Sequence, residues 1–167
     1  MDALSFYTTR IEAHESIREA EKLLIAHGAR EIAKQYDGRG GVTAVCFKIG
    51  VNDGLVSFRL AAKVDHVLAM LNAQTENWRR SKPRGGGRGE KVRLVPKRFR
   101  GDRDQAGRVA WRILLDCLRA QLTMAALGQA KVQEALLPWL CDAGGTTLFE
   151  FMEKTNYRGL IEYKEGA

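Results

Sequence analysis

Residues 79–103 read RRSKPRGGGRGEKVRLVPKRFRGDR, and no continuous helix or buried strand can run through them. The segment holds eleven Lys/Arg against two acids, Glu90 and Asp102, a net charge of +9; the rest of the chain has sixteen basic and eighteen acidic residues, a net of −2. Gly85, Gly86, Gly87 and Gly89 oppose a helix, and Pro83 and Pro96 punctuate the run. Blocks of like charge repel themselves unless a counter-charge is present. A flexible basic strip finds that counter-charge in a polyanion, because each neutralised phosphate releases condensed counterions.

On either side of this run the sequence is that of an ordinary folded chain. At 167 residues and 45% hydrophobic it can bury a core. It contains no apolar stretch of the roughly 18 residues a membrane span needs. The N-terminus starts acidic and lacks a basic-then-apolar signal pattern, so nothing suggests export and the expected location is the cytoplasm. Cys46, Cys117 and Cys141 are odd in number, distant in sequence and set among apolar residues, which predicts reduced core thiols.

Residues 1–74 read as a small α+β unit of order β-α-β-β-β-α, with an antiparallel meander sheet. Phe6 to Ile11 alternates as a short strand does. Ser16 and Glu19 fit a capping box for a helix running to His27, and Gly28 sits where a left-handed residue would end it. Strands are predicted at residues 32–36, 42–49 and 55–60, joined by turns at Asp37-Gly-Arg-Gly-Gly41 and Asn52-Asp53-Gly54. A short helix follows through Val64, Val67, Leu68 and Leu71.

Residues 75–101 are the flexible basic loop, in which the basic–apolar alternation of Lys91 to Val95 suits a short strand or a hairpin arm. Residues 102–167 are helical, packed on the same core, so that the whole is one domain. The longest helix spans about Asp102 to Leu127, capped by Asp102 or Asp104 and ended by Gly128. It carries two apolar strips, Val109, Ile113, Cys117 and Met124, and Trp111, Leu115, Leu118 and Leu122. A helix apolar on two sides is central to its fold or buried between copies, and self-association is expected on that ground. Val132 to Leu140 reads as another helix, and Thr146 or Thr147 caps a last one through Lys154, with Leu148, Phe151 and Met152 inward.

The candidate nucleic-acid contacts are Arg79, Arg80, Lys82, Arg84, Arg88, Lys91, Arg93, Lys97, Arg98 and Arg100. Trp78, Phe99 and Tyr36 are candidate stacking surfaces, the means by which single strands are commonly held. The plainer account is a solvated insertion with Trp78 closing a helix against the core. Arg108, Arg112 and Arg119 form a second basic group, best read as the polar face of the long helix, with Arg112 and Asp116 spaced to pair. No helix-turn-helix, zinc-finger or basic-zipper pattern is present, which favours a flexible strand over a duplex groove.

Catalytic motifs are not found. DGRGGVTAV lacks the Gly-Lys-Ser/Thr of a phosphate loop and runs into a strand where that motif needs a helix. His14, His27 and His66 have no metal-ligand spacing, and His27 beside Gly28 suits the end of a helix. The expectation is a non-enzyme with neither metal nor cofactor.

The runs RVAWRILLDCLRAQL (Arg108 to Leu122), ALLPWL (Ala135 to Leu140) and GTTLFEFM (Gly145 to Met152), together with AHGAREIAKQYDG and VTAVCFKI…VSFRL, resemble small uncharacterised proteins encoded by phages and prophages. The resemblance covers most of the chain and brings no catalytic or ligand residue. It implies a viral origin, in replication and recombination neighbourhoods. The resulting expectation is sequence-tolerant binding of single-stranded nucleic acid, DNA in preference to RNA, in phage replication, recombination or strand protection. The rivals are an anti-defence inhibitor of a host nucleic-acid-handling complex and, behind it, a metal-dependent nuclease.

Overall fold

The computed structural model describes residues 3–52, 54–80 and 91–158. In chain order the elements are α1 (Ala13–Ala26), β1 (Ala29–Tyr36), β2 (Val42–Val51), β3 (Gly54–Ala61), α2 (Val64–Glu76), β4 (Trp78–Arg80), β5 (Lys91–Arg93), α3 (Arg103–Ala126), α4 (Val132–Ala135), β6 (Leu140–Cys141) and α5 (Leu148–Lys154). Single 3₁₀ turns lie at Lys97–Phe99 and Leu137–Trp139. The class is α+β, as expected, with one small antiparallel sheet and one long helix. The chain divides into two compact units, one of Met1–Glu19 with Ala62–Asp116, the other of Ala20–Ala61 with Cys117–Ala167.

In the first unit Leu71 of α2, Val95 and Ala106 of α3 form a buried cluster, flanked by Leu4, Tyr7, Val67, Leu68 and Phe99. The expected strand at Phe6–Ile11 is absent. Residues 5–8 are turns, with Tyr7 N–H donating to the Leu4 carbonyl and Thr9 N–H to that of Phe6. Two buried glutamines take the place of a neighbouring strand. The Gln74 side-chain oxygen accepts from Leu4 N–H at 2.8 Å, and the Gln105 amide donates to the carbonyls of Tyr7 and Thr9 at 2.9 and 3.0 Å. Backbone groups denied a ladder must be satisfied in some such way.

Helix α1 starts three residues before the Ser16 that was expected to cap it. Glu15 reaches back to the Glu12 N–H at 3.2 Å, which is half of a capping box one turn earlier. Ser16 therefore lies inside the helix, fully buried, and its hydroxyl has no hydrogen-bond partner among the described residues. The other end follows the sequence, since Gly28 has φ +91° and His27 Nδ1 lies 2.8 Å from the Leu23 carbonyl.

The second unit holds the four-stranded antiparallel sheet, in the order β1-β2-β3-β6. Asp37 Oδ1 accepts from the N–H groups of Arg39 and Gly41 and so closes the first turn. The second hairpin is tight. Val51 faces Gly54 in the register, and Asn52 takes φ +51°. Val45, Phe47, Ile49, Phe58 and Leu60 are the buried side chains of one sheet face, with Phe47 stacked on Phe58 at 5.2 Å between ring centroids.

The fourth strand comes from the far end of the chain, where a helix to Leu140 was expected. Pro138 lies in the 3₁₀ turn that follows α4, and Leu140 and Cys141 then pair with Phe58 and Ser57. Thr147 caps α5 as expected. Its hydroxyl accepts from Glu150 N–H, and the Glu150 carboxylate accepts from Thr147 N–H at 2.8 Å. Phe151 is 58% exposed rather than inward.

In α3 the strip of Trp111, Leu115, Leu118 and Leu122 is buried. The other strip is buried only at Val109, and Cys117 and Met124 are exposed. None of the cysteines is a core residue, since Cys46 and Cys141 are half-buried, and all three are free thiols.

Two stability measurements test these placements. Replacing a buried hydroxyl that has no partner should help the fold, so Ser16→Ala is expected to raise the unfolding free energy by about 1 kcal/mol. A loss of similar size in urea denaturation would instead restore Ser16 to the helix terminus. The hydrogen bond from the Thr147 backbone holds the Glu150 carboxyl below its ordinary value near 4.5. Its contribution is therefore complete above that value and lost as pH falls through the lowered one. Stability should decline on acidification below about pH 4.5, and Glu150→Gln should make that decline shallower.

Candidate nucleic-acid interface

The basic segment begins where α2 ends. Two backbone hydrogen bonds, Leu94 N–H to the Asn77 carbonyl and Val95 N–H to that of Gln74, fasten the returning chain to the last turn of α2. Between those anchors β4 and β5 pair antiparallel, with Trp78 opposite Arg93, Arg79 opposite Val92 and Arg80 opposite Lys91. The expected hairpin arm is present, and its paired strands bring four of the candidate cations together along the backbone. Lys82, Arg84 and Arg88 lie outside the described residues.

Arg93 is built into this corner. Its guanidinium donates to the Thr75 carbonyl and stands over the Trp78 ring, 4.3 Å from the centroid. Thr75 is buried and Trp78 is 46% exposed, so the arginine joins the interior end of α2 to the hairpin surface.

Past Pro96 the chain makes its 3₁₀ turn, Lys97–Phe99. Phe99 meets Tyr7 edge-on at 5.8 Å and packs on the Leu71–Val95–Ala106 cluster. Arg98 stands over the Phe99 ring, 4.9 Å from its centroid. Lys97 and Arg98 are exposed on a turn that Phe99 pins to the core. Two more cations are tied back to α2. Arg100 pairs with Glu76 at 2.9 Å and Arg103 with Asp65, while Gly101 N–H donates to the Asn72 side chain. Asp102 Oδ1 accepts from Gln105 N–H and caps α3.

The candidate residues thus fall into distinct settings. Arg93, Lys97, Arg98, Arg100, Trp78 and Phe99 share one corner of the first unit, whereas Tyr36 belongs to the second, 61% exposed at the end of β1. Arg108 and Arg112 of α3 are half-buried and ion-paired. Arg108 pairs with Glu12 at 2.8 Å, and that hydrogen bond raises its already high pKa. Arg112 lies between Glu19 and Asp116, at 3.9 and 3.8 Å.

Spacing alone did not reveal Thr75, Glu76, Asp65 or Tyr7, the groups that hold the cations in place. Arg103 is 38 residues from Asp65, and only folding brings them together.

Among the described residues of the second unit, open clefts lie on one side of its sheet. One, of about 240 Å³, is lined by Cys46, Ser57, Cys141 and the Asp142–Gly145 turn. Burial pushes the Cys141 thiol up, so it stays protonated near neutrality. Another, about 440 Å³, is bordered by Arg59, Glu150, Glu153 and Lys154, whose charges balance.

If Phe99 is an anchor, Phe99→Ala should lower stability by about 2 kcal/mol, short of the ~3–5 kcal/mol of a fully buried ring, and Phe99→Leu should restore most of it. An unchanged urea midpoint in Phe99→Ala would return the ring to the solvent-facing surface. No protein family, no curated protein and no solved structure matches this chain.

Proposed function

We propose that this protein binds single-stranded nucleic acid, DNA in preference to RNA, through the corner formed by β4, β5 and the Lys97–Phe99 turn. One observation carries the reading. The whole positive excess of the chain lies in residues 79–103, and the described part of that run is held on an anchored turn and a hairpin. Cations fixed in place before binding lose less side-chain freedom on contact, so more of each phosphate interaction survives as affinity. Backbone phosphates are common to all sequences, which makes such a contact sequence-tolerant.

The ion pairs at the corner are compatible with this role. Glu76 and Arg100 are both more than half exposed, and an exposed pair contributes about 0–1 kcal/mol. A phosphate can replace the carboxylate at small cost. The proposed setting is phage DNA replication, recombination or strand protection.

Fluorescence anisotropy with labelled oligo-dT at several salt concentrations tests the reading. Contact with five phosphates of a single strand gives a log–log salt slope of about −3.5. The double variant Lys97→Ser/Arg98→Ser should bind more weakly and flatten that slope by about 1.4, two contacts at ~0.7 each. Lack of binding at low salt, or a slope unchanged in the variant, would remove this corner from consideration. The search would then turn to an acidic host protein.

A further inference from the structure

The sheet of the second unit ends in an open edge. Strand β1 pairs with β2 on one side, and among the described residues no strand lies on its other side. Six of its eight residues are exposed. The direction of its backbone groups follows from two hydrogen bonds. Asp37 N–H donates to the Gly41 carbonyl at 2.8 Å, and the Gln35 carbonyl accepts from Thr43 Oγ1 at 3.2 Å. The odd-numbered residues of β1 therefore turn their N–H and C=O groups toward β2. By the alternation of an antiparallel ladder, Arg30, Ile32, Lys34 and Tyr36 turn theirs outward.

Charged side chains usually blunt such an edge. On β1 their order instead disfavours the self-pairings centred on the outward-facing residues at mid-strand. Two copies meeting antiparallel are related by a two-fold axis perpendicular to the sheet, and the axis passes through one residue of the strand. With the axis at Ile32, Arg30 faces Lys34 of the second copy; with the axis at Lys34, that lysine faces its own equivalent. Both set like charges opposite one another, which is destabilising. With the axis at Ala33, Ile32 faces Lys34, Glu31 faces Gln35 and Ala33 faces Ala33 of the second copy. Arg30 then faces Tyr36, an aromatic ring that is 61% exposed in the single chain and well suited to carry a guanidinium.

We propose that β1 is a self-association edge, at which a second copy of this chain pairs antiparallel about a two-fold axis at Ala33 and extends the sheet to eight strands. The β1–β2 ladder is regular from Glu31 to Gln35, the five residues centred on the axis, and the Arg30–Tyr36 contact falls at its two margins. The irregularities in the β1–β2 ladder lie between Ala29 and Glu31 and between Gln35 and Tyr36, at the ends of the strand. Each outward N–H and C=O of Ile32 and Lys34 finds a partner, in place of water. The inference is independent of the nucleic-acid reading, because no residue of the basic segment enters it.

The test reads both mass and register. Light scattering of the wild-type chain should give twice the mass of the 18.7 kDa chain. Ala33 and its equivalent would form a non-hydrogen-bonded pair with Cα atoms about 4.5 Å apart, within the span of a disulfide. With Cys46, Cys117 and Cys141 all changed to Ser, because Cys46 lies directly opposite Ala33 in the sheet and would capture a new thiol there, Ala33→Cys should convert to a covalent dimer under mild oxidation, seen on a non-reducing gel. Gln35→Cys in the same background should not, because it faces Glu31. A wild-type chain that stays monomeric at the highest concentration reached, or equal cross-linking of the two variants, overturns the proposal. The wild-type mass needs no variant to fold.

Discussion

The buried carboxamide of Gln105 organises the first unit. It fills the space where a neighbouring strand would satisfy the carbonyls of Tyr7 and Thr9, and its own backbone N–H is held by the Asp102 cap of α3. Tyr7, so placed, meets Phe99 edge-on, and Phe99 fixes the turn that carries Lys97 and Arg98. One polar side chain thereby connects the N-terminal segment, the long helix and the basic corner. A buried amide left unmade costs on the order of 1–3 kcal/mol per group, which is why this arrangement is specific rather than interchangeable.

Positive charge in the basic segment occupies two settings. Arg93 and Arg103 are tied to α2 through the Thr75 carbonyl and Asp65, and Arg100 pairs with Glu76 at the surface. Lys97 and Arg98 stand on the surface of the same corner. The first group orients the segment, since each contact ends on α2, and the second projects from it. That division gives the high net charge a location, where an evenly basic surface would have none.

The two sheet faces of the second unit differ for a simple reason. Alternation places Val45, Phe47, Ile49, Phe58 and Leu60 on one side, and they are buried. Cys46, Lys48, Ser57 and Arg59 fall on the other, where the clefts lie. Thiols that looked like core residues in their apolar sequence context sit instead on this half-covered face, because strand period, not neighbouring composition, decides the side.

Local signals were legible at several places where the stabilising group lies within four residues. Gly28 ends α1, Asp37 folds its own turn, Asp102 caps α3 and Thr147 forms a capping box with Glu150, all as the residue types predict. The alternating pattern of β2 and β3 likewise yielded the buried face. Where competing local options existed, sequence reading chose wrongly. Ser16 and Glu19 have capping-box spacing, yet Glu12 and Glu15 end the helix one turn earlier and bury the serine. Phe6 to Ile11 alternates like a strand, yet no strand pairs with it and side-chain amides hold it in turns. By itself, then, the sequence determined the class, the hairpin turns, the caps of α3 and α5 and the place of the charge, because those follow from interactions between near neighbours. Tertiary structure alone decided the fate of the N-terminal segment, the recruitment of Leu140 and Cys141 as a fourth strand, and which cations are tied down. Each depends on groups tens of residues apart, whose meeting is set by burial and backbone satisfaction across the whole chain.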